Sequence, residues 1–249
     1  MTAPTTSLIE VTNLTMGWDD LTLQENASFR VDRGDIFAIL GGSGCGKSTL
    51  LRYLIGLEQP LKGEIEIAGQ GAPNLDARRP PYGVMFQSGA LFGSMTVGEN
   101  VALQLDEWSD LPHEAVNAVV RAKLRLVGLE AAEDKFPSEI SGGMKKRAAI
   151  ARAMALEPEL IFLDEPSAGL DPVSAAELDD LILTLNRVLG LTVVLVTHEL
   201  PSIFKIASRC IMLDKASKSI IADGDPRKLR DESKDPRVHD FFNRVPRSE

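Results

Sequence analysis

Three short clusters in this 249-residue chain have residue types and spacings suited to work on a polyphosphate. The first is Gly41-Gly42-Ser43-Gly44-Cys45-Gly46-Lys47-Ser48-Thr49, with the G-x-x-x-x-G-K-[ST] spacing of a phosphate-binding loop. Glycines let such a loop curl until its N–H groups converge, and the start of a following helix adds a positive dipole end. Lys47 is then expected to reach the β- and γ-phosphates, and the Ser48 hydroxyl to bind Mg²⁺. The second cluster is Asp164-Glu165, directly after the apolar run Leu160-Ile161-Phe162-Leu163. In this Walker B arrangement Asp164 would hold Mg²⁺ through water, and Glu165 would polarise the attacking water. The third is Ser141-Gly142-Gly143-Met144, where two glycines at a helix start permit close approach by a polyphosphate. A second phosphate-binding helix start, so far along the chain, has no use within one nucleotide site. It has a use if two copies of the chain face each other and each completes the other's site.

The elements that must position these clusters are legible as hydrophobic periodicity. Leu8 to Leu14 and Leu21 to Val31 alternate as strands with one buried face. Ile36 to Leu40 is the strand that leads into the phosphate loop, and a helix from Ser48 to Leu57 leads out. Short strands are expected at Glu64 to Ala68 and Tyr82 to Phe86, joined by the Gly/Pro-rich stretch Gly69 to Pro81. Ser88 to Val97 reads as a loop with Leu91, Phe92 and Met95 exposed. Beyond it come a helix at Glu114 to Val127 and another from the N-cap Ser141 to Leu156. Strands at 160–163 and 193–196 flank a helix at 173–189. A short helix at 203–207 and strands at 209–213 and 219–222 follow. Three strands thus deliver polar residues, Asp164 and His198 among them, at their C-terminal ends, where ligands bind in open α/β sheets. The fold class is α/β: a P-loop core with an antiparallel β subdomain and a helical insertion.

Composition narrows the class further. The chain is 44% hydrophobic and 25% charged, as for an ordinary soluble globular protein, and its net charge of −9 argues against a general nucleic-acid binder. Cys45 and Cys210 offer no disulfide framework and are expected to be reduced and buried. No apolar run is long enough to span a bilayer, and Met1 to Ser7 lacks the regions of a signal peptide. A soluble, cytosolic chain is expected, with any membrane role supplied by a partner. His113 and His239 fit no constellation and are expected to be solvated.

Taken together, the phosphate loop, Gln87, Ile140 to Met144, Leu163-Asp164-Glu165-Pro166, Gly169-Leu170-Asp171 and His198 resemble the nucleotide-binding subunit of ABC transporters. The resemblance covers about residues 7 to 224 and includes six spaced motifs in the family's order. It implies a single ATPase domain on 1–249: a core on 1–88 and 158–224, a helical subdomain on 89–157 and a helical tail on 225–249. It also implies that Gln87 touches Mg²⁺ and senses the transmembrane partner, that Asp171 lies between protomers, and that His198 sits near the γ-phosphate. Trp18 falls where the family stacks an aromatic on adenine. Met144 departs from the Gln of many members but leaves Ser141 and Gly143 intact.

A finer resemblance lies in Phe86 to Phe92, in Ser141 to Arg147 and in Asp235-Pro236-Arg237-Val238. These are similar to the ATPase of MCE-associated, Mla-type phospholipid transporters. That implies a homodimer on the cytoplasmic side of the inner membrane, two integral permease subunits, an MCE-domain protein and, in some systems, a small STAS-domain partner. Leu91, Phe92 and Met95 would then suit docking of the permease. The stripe Val238, Phe241, Phe242 and Val245 would pack on the opposite protomer. An amino-acid or ion importer, or a permease-free role such as iron–sulfur assembly, stays open at this point.

Overall fold

The computed structural model describes residues 7–18, 21–75 and 79–245. The stretch Met1 to Thr6 and the last four residues of the expected tail therefore lie outside the described residues. Two strands come first, β1 (Ser7–Trp18) and β2 (Leu21–Asp32), then β3 (Ile36–Gly41), α1 (Lys47–Leu54), β4 (Lys62–Ile67) and β5 (Tyr82–Met85). Helices α2 (Val97–Trp108), α3 (His113–Leu126) and α4 (Gly142–Ala153) follow. After them come β6 (Leu160–Asp164), α5 (Pro172–Leu189), β7 (Thr192–Val196) and α6 (Leu200–Ile206). The chain finishes with β8 (Arg209–Asp214), β9 (Ser219–Gly224), α7 (Pro226–Glu232) and α8 (Pro236–Asn243).

The chain divides into two compact units, Met1–Pro80 with Thr192–Glu249, and Pro81–Leu191. The first holds two sheets. One is antiparallel in the order β2-β1-β4, with Ile9 opposite Val31 on one side and Ile67 on the other. The second places β3 between β7 and β8, parallel to both, with β9 antiparallel on the outer side of β8. Every residue of β3 and β7 is buried. Burial on both faces is why these strands are continuous apolar runs and lack the alternation of β1. Phe29 of β2 stacks on Phe37 of β3 at 5.7 Å between ring centroids, tying the two sheets.

In the second unit β5 and β6 pair in parallel, with Gly83 opposite Ile161. Helix α2 was not expected as a separate element. Thr96 caps it in a reciprocal box with Glu99: the Thr96 Oγ1 accepts from the Glu99 N–H, and a Glu99 carboxylate oxygen accepts from the Thr96 N–H. The sequence signal is the Thr-x-x-Glu run. Buried Asn100 on this helix accepts from the Phe92 N–H and donates to the carbonyls of Phe92, Met95 and Thr96. The loop before α2 is therefore folded onto its own helix. Phe92 is exposed as expected, but Leu91 and Met95 are half-buried, a correction that follows from that anchoring.

The tail also differs from expectation. Val238 and Phe242 of α8 are buried within their own chain, Phe242 against the ring of Phe204. Only Val245 is exposed and Phe241 half-buried, so most of the stripe is satisfied without a second protomer. Arg237 fastens the helix by donating to the Asp214 carboxylate at 2.9 Å. Partial burial pushes the Asp214 carboxyl up, but hydrogen bonds from Ser217 and the Arg237 charge outweigh it and hold the group below its ordinary value. A depressed carboxyl contributes stability above its unfolded pKa and loses it as pH falls through the folded value. Acid should accordingly free α8 early. Phe242→Ala should do the same at neutral pH, costing about 3 kcal/mol. Hydrogen exchange would show lost protection confined to 236–243 while β3 and β8 stay protected.

Candidate active site

The first unit builds the phosphate loop. β3 delivers the chain into it and α1 carries it away, and the conformation needs glycine at two points. Gly41 has φ +144°, and a Cβ there would lie 2.5 Å from the Leu213 carbonyl oxygen. Gly46 has φ +103° and packs under the Met16 side chain. Between them Gly42, Ser43 and Gly44 are exposed while Cys45 is buried, so the loop has a packed outer side and an open inner one. α1 starts at Gly46 with no side-chain cap, leaving its first N–H groups to an external acceptor. Lys47 Nζ donates to the carbonyls of Gly41 at 2.9 Å and Gly42 at 3.1 Å, which lays its charge along the loop. Ser48 presents an exposed hydroxyl, whereas Thr49 faces inward. Burial pushes the Cys45 thiol up and works against thiolate chemistry; Lys47 opposes it only in part.

Gln24 is a contributor that sequence reading missed. It lies in β2 with no exposed surface, and its Nε2 donates to the carbonyls of Cys45 at 2.9 Å and Asp214 at 3.1 Å. One amide thus pins the back of the phosphate loop to the end of β8. Trp18, at the end of β1, is 43% exposed and offers a ring face. Its Nε1 donates to Glu58 at 3.2 Å, and Arg52 of α1 donates to the same carboxylate. Tyr53 of α1 exchanges hydrogen bonds with the N–H and carbonyl of Gly17, fixing the strand end that carries Trp18. His198 follows β7, exposed, with Nε2 3.7 Å from a Glu199 carboxylate oxygen.

The second unit brings Gln87, Asp164 and Glu165 to the ends of its paired strands. Gln87 lies just beyond β5 and is exposed; Asp164 ends β6 and is half-buried. Glu165 has φ +45°, a left-handed backbone that is uncommon for a residue with a side chain and re-aims the carboxylate at the strand end. Lys146 of α4, 6% exposed, donates its ammonium to the carbonyls of both Gln87 and Glu165. Its position within Ser141 to Arg147 did not point to this role. Burial lowers its pKa, and the charges of Asp164 and Glu165 work against that.

Ser141 caps α4 as expected, accepting from the Met144 N–H at 3.2 Å. Gly142 and Gly143 have no left-handed backbone, and a Cβ on either would meet only ordinary contacts at 3.6 Å or more. Packing within the chain therefore does not require glycine there. Asp171 caps α5, accepting from the N–H groups of Val173 and Ser174 and from the Ser174 hydroxyl. The Ser174 side-chain bond leads the interactions that hold its carboxyl below the ordinary value. His113 and His239 are exposed, as expected. In the second unit Gln87 and Asp164 each carry a side-chain oxygen, and in the first Ser48 a hydroxyl, donor types that suit a hard cation such as Mg²⁺.

These features define a class, and comparison with known proteins agrees. The ABC transporter family profile matches residues 24–168. The chain belongs to that family and is an ATP-binding, ATP-hydrolysing cassette. It is 41% identical over 244 residues to the "Intermembrane phospholipid transport system ATP-binding protein MlaF" of Escherichia coli (strain K12), covering 96% of this chain and 90% of that protein. It is 40% identical over 240 residues to the "Probable ribonucleotide transport ATP-binding protein mkl" of Mycobacterium bovis, covering 94% of this chain and 66% of that protein. Among solved structures it is similar to the dimeric ATP-binding cassette MJ0796 bound to ADP and Pi. There the TM-score is 0.76 at 30% identity, over 87% of this chain and 98% of that one. No helix among the described residues is long and apolar enough to cross a membrane.

Gln24→Met tests the pinning amide. It keeps the volume but leaves two carbonyls without their donor, at about 1–3 kcal/mol for a buried unsatisfied group. ATP affinity should fall on the order of tenfold, read by titration with a fluorescent ATP analogue, while circular dichroism stays that of a folded chain.

Proposed function

We propose that this chain is the ATPase subunit of a transporter that moves phospholipid between bacterial membranes. It acts as a homodimer on the cytoplasmic face of the inner membrane, beneath integral permease subunits, in a complex with an MCE-domain protein and, in some systems, a small STAS-domain partner. The observation that carries this reading is the 41% identity to MlaF across nearly the whole chain. The glycines at the start of α4 support the dimer. Their smallness has no use inside the chain, and a phosphate bound by a second copy is the approach that would use it.

In the mechanism, the exposed loop backbone of Gly42 to Gly44 and the Lys47 ammonium hold the phosphates of one ATP. Trp18 stacks on its base, held at the indole N–H by Glu58. Ser141 and Gly143 of the second copy cover the γ-phosphate, and Asp171 lies close to that copy. Ser48, Gln87 and Asp164 would hold Mg²⁺, which neutralises charge on the phosphate oxygens. Glu165 aligns water for in-line attack, and His198 completes the geometry. Such catalysis is mostly positioning and charge stabilisation, because phosphoryl transfer asks little covalent chemistry of the protein. Hydrolysis opens the clamp, and Gln87 with the loop through Phe92 passes that motion to the permease.

The test joins chemistry to cargo. Glu165→Gln should lower turnover at least a hundredfold while ATP-dependent dimers accumulate in sedimentation. The wild-type chain, purified from membranes with its partners, should bring a permease and phospholipid. Hydrolysis near the wild-type rate by the variant would refute the role of Glu165. Recovery of a ribonucleotide-binding complex would move the cargo to the class in the name of mkl.

A further inference from the structure

Lys146 is a buried charge that the mechanism above leaves unused. An ammonium taken out of water is costly unless its hydrogens find acceptors, and apolar side chains fill much of the rest of α4. The acceptors here are two backbone carbonyls that matter: that of Gln87, just past β5, and that of Glu165, just past β6. Glu165 also needs its backbone held, because its φ of +45° is not one it would keep unaided. The segment after Gln87 is gripped from the same helix by a second buried cation. Arg152 donates to the carbonyls of Gly89 at 2.8 Å and Ala90 at 2.7 Å. Helix α4 therefore carries Ser141 and the two open glycines at its start and, just over a turn along, a cation bonded to both hydrolytic segments of its own chain.

We propose that Lys146 is a positioning residue that ties the start of α4 to Gln87 and Glu165, and so couples the two ATP sites of the dimer. The coupling rests on the dimer proposed above. When Ser141 and Gly143 engage the nucleotide held by the second copy, α4 is fixed. Through Lys146, Gln87 and Glu165 of the same chain are then fixed toward their own nucleotide. A coupling of this kind uses a rigid helix and two hydrogen bonds, and it is felt in turnover more than in nucleotide affinity, because the phosphate loop lies in other elements.

The experiment uses the full-length chain. Lys146→Met removes both bonds. Lys146→Gln keeps a buried donor but is one bond shorter, so its amide cannot sit where the ammonium does. Lys146→Arg can still donate to both carbonyls. Steady-state ATPase is measured against ATP concentration, and binding of trinitrophenyl-ATP gives affinity separately. The Met and Gln variants should show kcat at least tenfold lower, affinity within twofold of wild type, and a Hill coefficient falling toward 1; Lys146→Arg should recover at least half of the lost turnover. Should the Met variant fail to fold, the Gln variant is held to the same criteria. Turnover within twofold of wild type in a folded variant overturns the proposal. So does a parallel loss of affinity and kcat, which would make the lysine a plain structural support. Glu165→Gln run alongside separates the two readings. If that variant is inert and the lysine variants are not slowed, only the Lys146 proposal fails; a wild-type chain inert toward ATP overturns both.

Discussion

A phosphate-binding loop must satisfy opposed demands: its N–H groups have to stay free of protein acceptors, yet its backbone has to keep one shape. In this chain the conflict is resolved by dividing the loop into two sides. The outer side is packed, with Cys45 buried, Gly41 pressed against the Leu213 carbonyl and Gln24 bonded to the Cys45 carbonyl. The inner side, Gly42 to Gly44, is open. Support comes from behind, from β2, β3 and β8, while Lys47 Nζ adds its own bonds to the Gly41 and Gly42 carbonyls. The same division explains why a buried polar residue such as Gln24 is tolerated in a strand. A buried backbone carbonyl with no donor is unfavourable by an amount comparable to a lost hydrogen bond, and one amide serves two of them.

The second unit meets a related demand with charge. The strand ends at Gln87 and Glu165 are backbone segments outside any sheet ladder, and their carbonyls need donors. Lys146 supplies both, and Arg152 supplies the carbonyls of Gly89 and Ala90. Burial pulls the pKa of each cation down. The loss is limited for Lys146 by the nearby Asp164 and Glu165 charges, whose own position at the end of β6 the lysine helps to hold.

How far this was legible in the sequence depends on the range of the interactions concerned. Motifs whose logic is local were readable: the loop at 41–49, the cap at Ser141 and the carboxylates after an apolar strand. The core strands were readable too, because β3 and β7 are buried on both faces and carry unbroken apolar runs. Gln24 and Lys146 were not. Gln24 reaches Asp214 across 190 positions, and Lys146 reaches Gln87 across 59, so nothing near either residue in the chain announces its partner. Asn100 was silent for another reason. An Asn inside a helix usually faces water, and here it folds the preceding loop inward, which is why Leu91 and Met95 are less exposed than their loop-like surroundings implied. The tail shows the limit of periodicity: the stripe in α8 correctly marked an apolar face, but a stripe cannot say which molecule covers it.

The glycines separate what the chain needs for itself from what it holds out to something else. At Gly41 and Gly46 the backbone is left-handed and neighbours crowd the missing Cβ, so folding alone accounts for them. At Gly142 and Gly143 neither condition holds, and glycine at a helix start forgoes the better propensity of alanine. A residue that weakens its own helix without relieving any local strain is explained by what must come close to it. On the proposed reading that is the terminal phosphate of a nucleotide held by a second copy. Lys146 then sits between the part of the chain that serves the other copy's nucleotide and the part that acts on its own, which is where a coupling between two sites would have to lie.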